Sequence, residues 1–151
     1  MNTLPLFTAA DVQAAAPRVR EHLAAGKVLA HPTETIYGLG GRATESDLEA
    51  LFALKGRGDD KPVLLLVSGR HMAEEFGVSF TAAASGLASA CWPGPLTLVL
   101  PASGDVPKRL RGASGGVGVR WTSHERMADL IATLGHQIGR ASCRERVCPH
   151  V

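Results

Sequence analysis

Val63-Leu64-Leu65-Leu66-Val67 is the run that decides the fold. It is apolar throughout, of strand length and without polar alternation, so it reads as a central strand covered on both faces. Its neighbours can supply that cover. Upstream, Thr44 stands three places before Asp47 as a helix cap, and Leu48, Leu51, Phe52 and Leu54 are expected to form a buried face ending at Lys55. Downstream, helices are expected around 71–76 and over 81–91. Further out, Thr8 and Asp11 form a capping pair for a first helix whose apolar positions Val12, Ala15, Ala16, Val19 and Leu23 lead to Gly26. Pro17 is expected to kink or split that helix. Residues 27–31 read as a short strand halted by Pro32. The rigid turn Trp92-Pro93-Gly94-Pro95 delivers 96–100 as another strand. A glycine-rich loop at 112–118 runs into a strand at 117–120, and 125–134 reads as a helix with Met127, Leu130, Ile131 and Leu134 inward. Strands and helices interleave without repeats or linkers. The expected architecture is therefore one α/β domain, a twisted sheet of mixed parallel and antiparallel strands flanked by helices.

At 151 residues, 45% hydrophobic and 20% charged, the chain suits a single core rather than disorder or a coiled coil. A net charge of +2 is too small to establish nucleic-acid binding by itself. No apolar run approaches the roughly 18 residues of a membrane span, and the N-terminus lacks a signal peptide's basic region and cleavage site, so a cytoplasmic protein with no membrane partner is expected. Cys91, Cys143 and Cys148 are odd in number and give no disulfide framework. Residues 138–151, IGRASCRERVCPHV, depart from the rest in charge, periodicity and cysteine content. They resemble the in-frame translation of a sequencing-library adapter. The expectation is a domain over 1–137, incomplete at its C-terminus, followed by a non-native tail over 138–151. Cys143, Cys148 and His150 lack the paired spacing of structural zinc, and His31, His71 and His124 are scattered, so no metal site is expected.

The chemistry concentrates in HPTETIYGLG at 31–40, Lys55-Gly56-Arg57 and Lys61-Pro62. Thr33, Thr35 and Tyr37 offer short-range donors, or serve a turn. Lys55, Arg57 and Lys61 surround one helix end. Gly56 and Gly58 free the backbone beside Arg57, whose planar guanidinium can grip phosphate oxygens bidentately while the lysines act as point charges. Three such cations on a solvated surface are also common. Gly38 and Gly40 either admit a ligand close to the backbone or permit positive φ. No Walker loop, dinucleotide fingerprint or nucleophile elbow is present. A phosphorylated ligand suits this arrangement best.

With these motifs in order, joined by WPGPLTLVLP at 92–101 and GVGVR at 116–120, the chain resembles the YrdC/Sua5 family over about residues 20–136. The resemblance implies an L-threonylcarbamoyladenylate synthase, a nucleotidyltransferase. Such enzymes join L-threonine, bicarbonate or CO2, and ATP, with Mg2+, into threonylcarbamoyl-AMP and pyrophosphate. Downstream t6A transferase proteins then use the product to modify tRNA at t6A37. Carried over by position, Thr35 and Arg120 fall at threonine contacts, Arg120 at the carboxylate. Arg57 and Lys61 fall at ATP contacts, Lys55 opens the KxR signature that makes Lys55 and Arg57 the catalytic pair, and Gly116 falls at a backbone contact to the nucleotide. Two departures matter. Leu66 stands where some relatives have a histidine, and residues 138–151 stand where the family has a Ser/Thr-x-Asn motif, so this chain's activity is expected to be impaired. The alternative is a double-stranded RNA or tRNA-binding module without catalysis, which would show a steep salt dependence.

Overall fold

The computed structural model describes residues 3–55 and 62–142. In chain order it contains α1 (Ala9–Ala24), β1 (Leu29–His31), β2 (Gly38–Arg42), α2 (Glu45–Lys55), β3 (Leu64–Val67), α3 (Arg70–Glu75), α4 (Ala82–Cys91), β4 (Leu98–Leu100), a 3-10 turn (Lys108–Leu110), β5 (Val117–Trp121), α5 (Glu125–Leu134) and β6 (Ile138–Ser142). The strands form a six-stranded sheet in the order β1-β2-β6-β3-β5-β4. β3 and β5 are parallel and the other pairs antiparallel, the mixed sheet expected from sequence.

β3 lies inside the sheet, and its alternation divides the core. Leu65 and Val67 face one layer with Leu48, Leu51 and Phe52 of α2 and Val117 and Val119 of β5. Leu66 faces the other with Val12, Val19 and Leu23 of α1, Met127, Leu130 and Ile131 of α5, and Ile138. An apolar strand without polar alternation is what two buried faces require.

Three local expectations change. α1 runs through Pro17 without a break. Its start is set by a capping box, with Asp11 N donating to Thr8 Oγ1 at 3.1 Å and Thr8 N to Asp11 Oδ2 at 2.8 Å. Pro17 and Gln13, one turn back, are both exposed, so water can solvate the carbonyl that loses its amide donor. Leu54 is 61% exposed rather than buried. It falls outside the stripe made by Leu48, Leu51 and Phe52 on a period of about 3.6 residues.

The third change concerns Gly38 to Arg42, which is a strand and not a glycine-rich turn. Neither Gly38 nor Gly40 has a positive φ. Close packing explains them instead. A Cβ on Gly40 would lie 2.7 Å from Ile138 Cγ2 and 3.2 Å from the His31 ring. One on Gly38 would lie 2.8 Å from Arg140 Nε and 3.3 Å from the same ring. The imidazole of His31 therefore rests across two bare positions of β2. Residues 138–142, set apart from the domain by their composition, run as β6 between β2 and β3. No helix among the described residues is long and apolar enough to cross a membrane.

Candidate functional site

The loop between β1 and β2 carries the first group of side chains. Thr33 ties this loop internally: its hydroxyl donates to Ile36 O and accepts from the amides of Thr35 and Ile36, each at 3.3 Å. Thr33 is thus a turn residue. Glu34 leaves the turn and reaches the junction of β5 and α5. Its Oε1 accepts from Thr122 Oγ1 at 2.7 Å and from Ser123 N at 3.1 Å, and its Oε2 lies 3.6 Å from Arg120 Nη1. Burial works against ionisation of Glu34. Hydrogen bonds from Thr122, its own backbone and Ser123, with the charge of Arg120, outweigh burial and hold its carboxyl below the usual range. Thr35 and Tyr37 are exposed on either side of Ile36.

Arg120 belongs to β5 and is braced from three directions. Nε donates to Thr97 Oγ1 at 3.1 Å, Nη2 donates to Pro95 O at 2.6 Å, and Nη1 faces Glu34. The Trp92–Pro95 turn puts those acceptors in place. Trp92 Nε1 donates to Leu96 O at 2.8 Å, and Gly94 N donates to Trp121 O at 2.9 Å, which fastens the turn to β5. A guanidinium has five N–H donors, so three engagements leave two, enough for one bidentate carboxylate.

Gly118 and Arg120 share a face of β5 by two-residue alternation, and Gly116 stands immediately before the strand. Val99, paired with Gly118, lies on that face and is 67% exposed. The helices α1 and α5 pack over β1, β2 and β3, leaving this outer part of the sheet accessible. At the Gly116 end, Gly112 N donates to Gly116 O at 2.8 Å, closing the hairpin before β5. Pro62 lies beside this hairpin, with Cγ 3.8 Å from a Cβ placed on Gly112. Lys55 ends α2, as expected. Arg57 and Lys61 lie outside the described residues. The structure thus brings the Thr35 loop to Arg120, while Gly116 lies in the turn that leads into the same strand.

His31 lies beneath the loop and is 1% exposed. Its Nδ1 is 2.9 Å from Pro32 O, which can only accept, so Nδ1 carries the hydrogen and Nε2 the lone pair. Nε2 is buried with no hydrogen-bond partner among the described residues. Burial, opposed by the Pro32 carbonyl and reinforced by the charges of Arg140 and His124, lowers the pKa to about 4 despite Glu34 nearby. Leu66, where a histidine was weighed, is sealed in the α1–α5 core.

Sequence reasoning passed over Glu34, Thr97 and Thr122. Glu34 sits in the quoted motif as the one acid among donors, a usable signal. Thr97 and Thr122 gave none, because their importance comes from contacts with distant segments.

Comparison with known proteins bears on the family and the fold. The Sua5/YciO/YrdC family model, described as "Telomere recombination", matches residues 21–144. A threonylcarbamoyl-AMP synthase of Nitrosococcus oceani is 39% identical over 132 residues, covering 82% of this chain and 70% of its own length. The threonylcarbamoyl-AMP synthase of Pyrococcus abyssi is 40% identical over 121 residues, covering 80% of this chain, which spans only 34% of that protein. The solved structure of P. abyssi Sua5 complexed with L-threonine superposes with a TM-score of 0.77 at 37% identity, over 89% of this chain and 39% of that one. E. coli YciO, at 21% identity, has the same fold with a TM-score of 0.74 over 85% of this chain and 63% of its own.

Proposed function

The chain belongs to the Sua5/YciO/YrdC family, and from that premise we propose that it is the catalytic domain of an L-threonylcarbamoyladenylate synthase. In this reading the threonine amine adds to CO2, or to bicarbonate with loss of water, giving a carbamate. A carbamate oxygen then attacks the α-phosphorus of ATP, and pyrophosphate leaves. Two anions must meet for this to happen, so fixed cations and an enclosed site supply most of the help. Arg120 holds the threonine carboxylate and Thr35 contacts the same substrate. Arg57 and Lys61 hold the phosphates, Lys55 adds positive charge at the end of α2, and the backbone at Gly116 meets the nucleotide. ATP enters as its Mg2+ complex. Proteins that pass the threonylcarbamoyl group to tRNA consume the product, and the reaction belongs in the cytoplasm.

The observation that carries the reading is the braced Arg120 guanidinium, with two donors in reserve, beside the Thr35 loop. Relatives named threonylcarbamoyl-AMP synthase support it, and they favour the synthase over the RNA-binding alternative. The proposal extends to the tail: residues 138–151 replace native sequence and impair turnover. In its favour, these residues depart from the rest of the chain in charge, periodicity and cysteine content. Pyrophosphate release that requires threonine, bicarbonate and ATP together is the test, run on this chain and on one with the source genome's codons restored after Gln137. If the restored chain releases none, or releases it equally without threonine, the synthase reading fails. Source DNA that encodes 138–151 as they stand would overturn the tail proposal.

A further inference from the structure

We propose that Glu34 is a positioning residue, which orients the Arg120 guanidinium toward the amino-acid substrate and fixes the Thr35 loop beside it. The inference rests on the synthase reading for the identity of that substrate. It goes further by assigning substrate selection to a carboxylate with no role in the chemistry. Three observations converge on it. Glu34 joins segments 88 residues apart through the Thr122 hydroxyl and also accepts from Ser123 N. Both bonds use Oε1, so Oε2 is directed to Arg120 at 3.6 Å. The side chains of Arg120 and Glu34 are 21% and 19% exposed, so water only partly screens the pair.

The brace has a geometric consequence. Thr97 and Pro95 hold Nε and Nη2, and among the described residues Glu34 is the polar partner on the remaining side, at Nη1. With Glu34 at Nη1 the plane is fixed by three points. The two remaining donors then have a defined direction, as a planar, bidentate carboxylate demands. The same residue fixes its neighbour in the chain. Thr33 folds the turn and Glu34 anchors it to the β5–α5 junction, so Thr35 is located between two tied positions. One acid therefore sets the separation of two residues proposed to hold one substrate.

A competing role is direct contact of Glu34 with the substrate ammonium. Glu34→Gln separates the two. The amide oxygen can still accept from Thr122 and Ser123, but the amide nitrogen is a donor set against the donor of Arg120. Calorimetry with L-threonine and with L-threoninol, which keeps the amine and hydroxyl but lacks the carboxylate, gives the readout, with ATP titrated as a control. E34Q is expected to weaken L-threonine about tenfold, to leave ATP within about twofold, and to leave L-threoninol unchanged, because a misaligned guanidinium matters only to a carboxylate. Thr97→Val, which removes the Nε acceptor and keeps the side-chain shape, is expected to weaken L-threonine in the same selective way. Equal loss of L-threonine and L-threoninol in E34Q would overturn positioning in favour of direct contact. Unchanged L-threonine binding in both variants would overturn it outright. A wild-type chain that is folded yet binds no L-threonine would instead overturn the synthase reading, and this inference with it.

Discussion

The neutral histidine under the loop predicts how the fold responds to acid. In the unfolded chain an imidazole takes up its proton as the pH falls below about 6.5. Folded His31 resists until about pH 4, because burial, the charge of Arg140 and that of His124 disfavour the imidazolium. Between those values the unfolded state binds more protons than the folded state, so stability falls as the pH is lowered. The contribution is intact above pH 6.5, is withdrawn progressively down to about 4, and changes no further below that. At about 1.4 kcal/mol for each pH unit, the withdrawal amounts to about 3 kcal/mol. With His31 1% exposed, solvent screening does little to reduce it. Urea denaturation at pH 7.5, 6, 5 and 4.5 measures the loss, and a parallel series on His31→Leu supplies the baseline. The variant starts less stable, having lost the bond to Pro32 O, but its stability should decline much less than that of the wild type through the same window. Glu34 and Asp11, both held below the usual carboxylate range, begin their own losses at the acid end of this window, and the His31→Leu series, which keeps both groups, subtracts them. Parallel curves for the two proteins, or a resonance assigned to the His31 imidazole titrating near 6.5, would refute the reasoning.

Other perturbations test packing and chemistry separately. Gly40→Ala places a methyl 2.7 Å from Ile138 Cγ2 and 3.2 Å from the His31 ring, and is expected to destabilise the fold by about 1–3 kcal/mol in urea titrations; an unchanged midpoint would show that Ile138 and His31 do not close over Gly40 as described. Leu48→Ala empties a site that is 0% exposed beneath α2 and should cost about 2–5 kcal/mol, measured the same way. On the proposed function, Arg57→Ala should weaken ATP binding by about 1–3 kcal/mol while leaving L-threonine binding alone. Equal ATP affinity in calorimetry would remove Arg57 from the nucleotide site.

What could be read in advance follows the range of the interactions involved. The Val63–Val67 run, the Thr8–Asp11 box and the apolar spacing of α5 are local, and each element appears where the pattern puts it. Gly38-Leu39-Gly40 misleads because a glycine strand and a glycine turn look alike until the packing partner is known. That partner, Ile138, is about a hundred residues away in the chain. Leu54 misleads for a smaller reason, a rotation about the helix axis that a list of apolar residues does not resolve. At the site, the position of Lys55 at a helix end was legible, as was Arg120 late in its strand. The brace around Arg120 was not, since its acceptors come from the Trp92–Pro95 turn, from Thr97 and from the β1–β2 loop.

The layout of β5 links these pieces to the proposed reaction. Gly116 stands immediately before β5 and Arg120 four residues further on, a separation of at most about 13 Å at the rise of a strand. On the proposed reading the nucleotide meets the first and the amino-acid carboxylate the second, so the carbamate and the α-phosphorus must meet between them. Gly118 occupies that middle position and presents no side chain. A Cβ there would lie 3.6 Å from Leu64 Cδ1 and 3.6 Å from Thr97 Cγ2, ordinary contact distances, so the strand itself could accept alanine. Folding therefore does not demand the glycine. Its value would lie in the open space above β5, where an added methyl would stand in the path of the reacting groups. A Gly118→Ala variant with unchanged stability should then lose turnover more than it loses binding of either substrate alone. Turnover equal to wild type in the chain with its native C-terminus would place the reacting groups elsewhere.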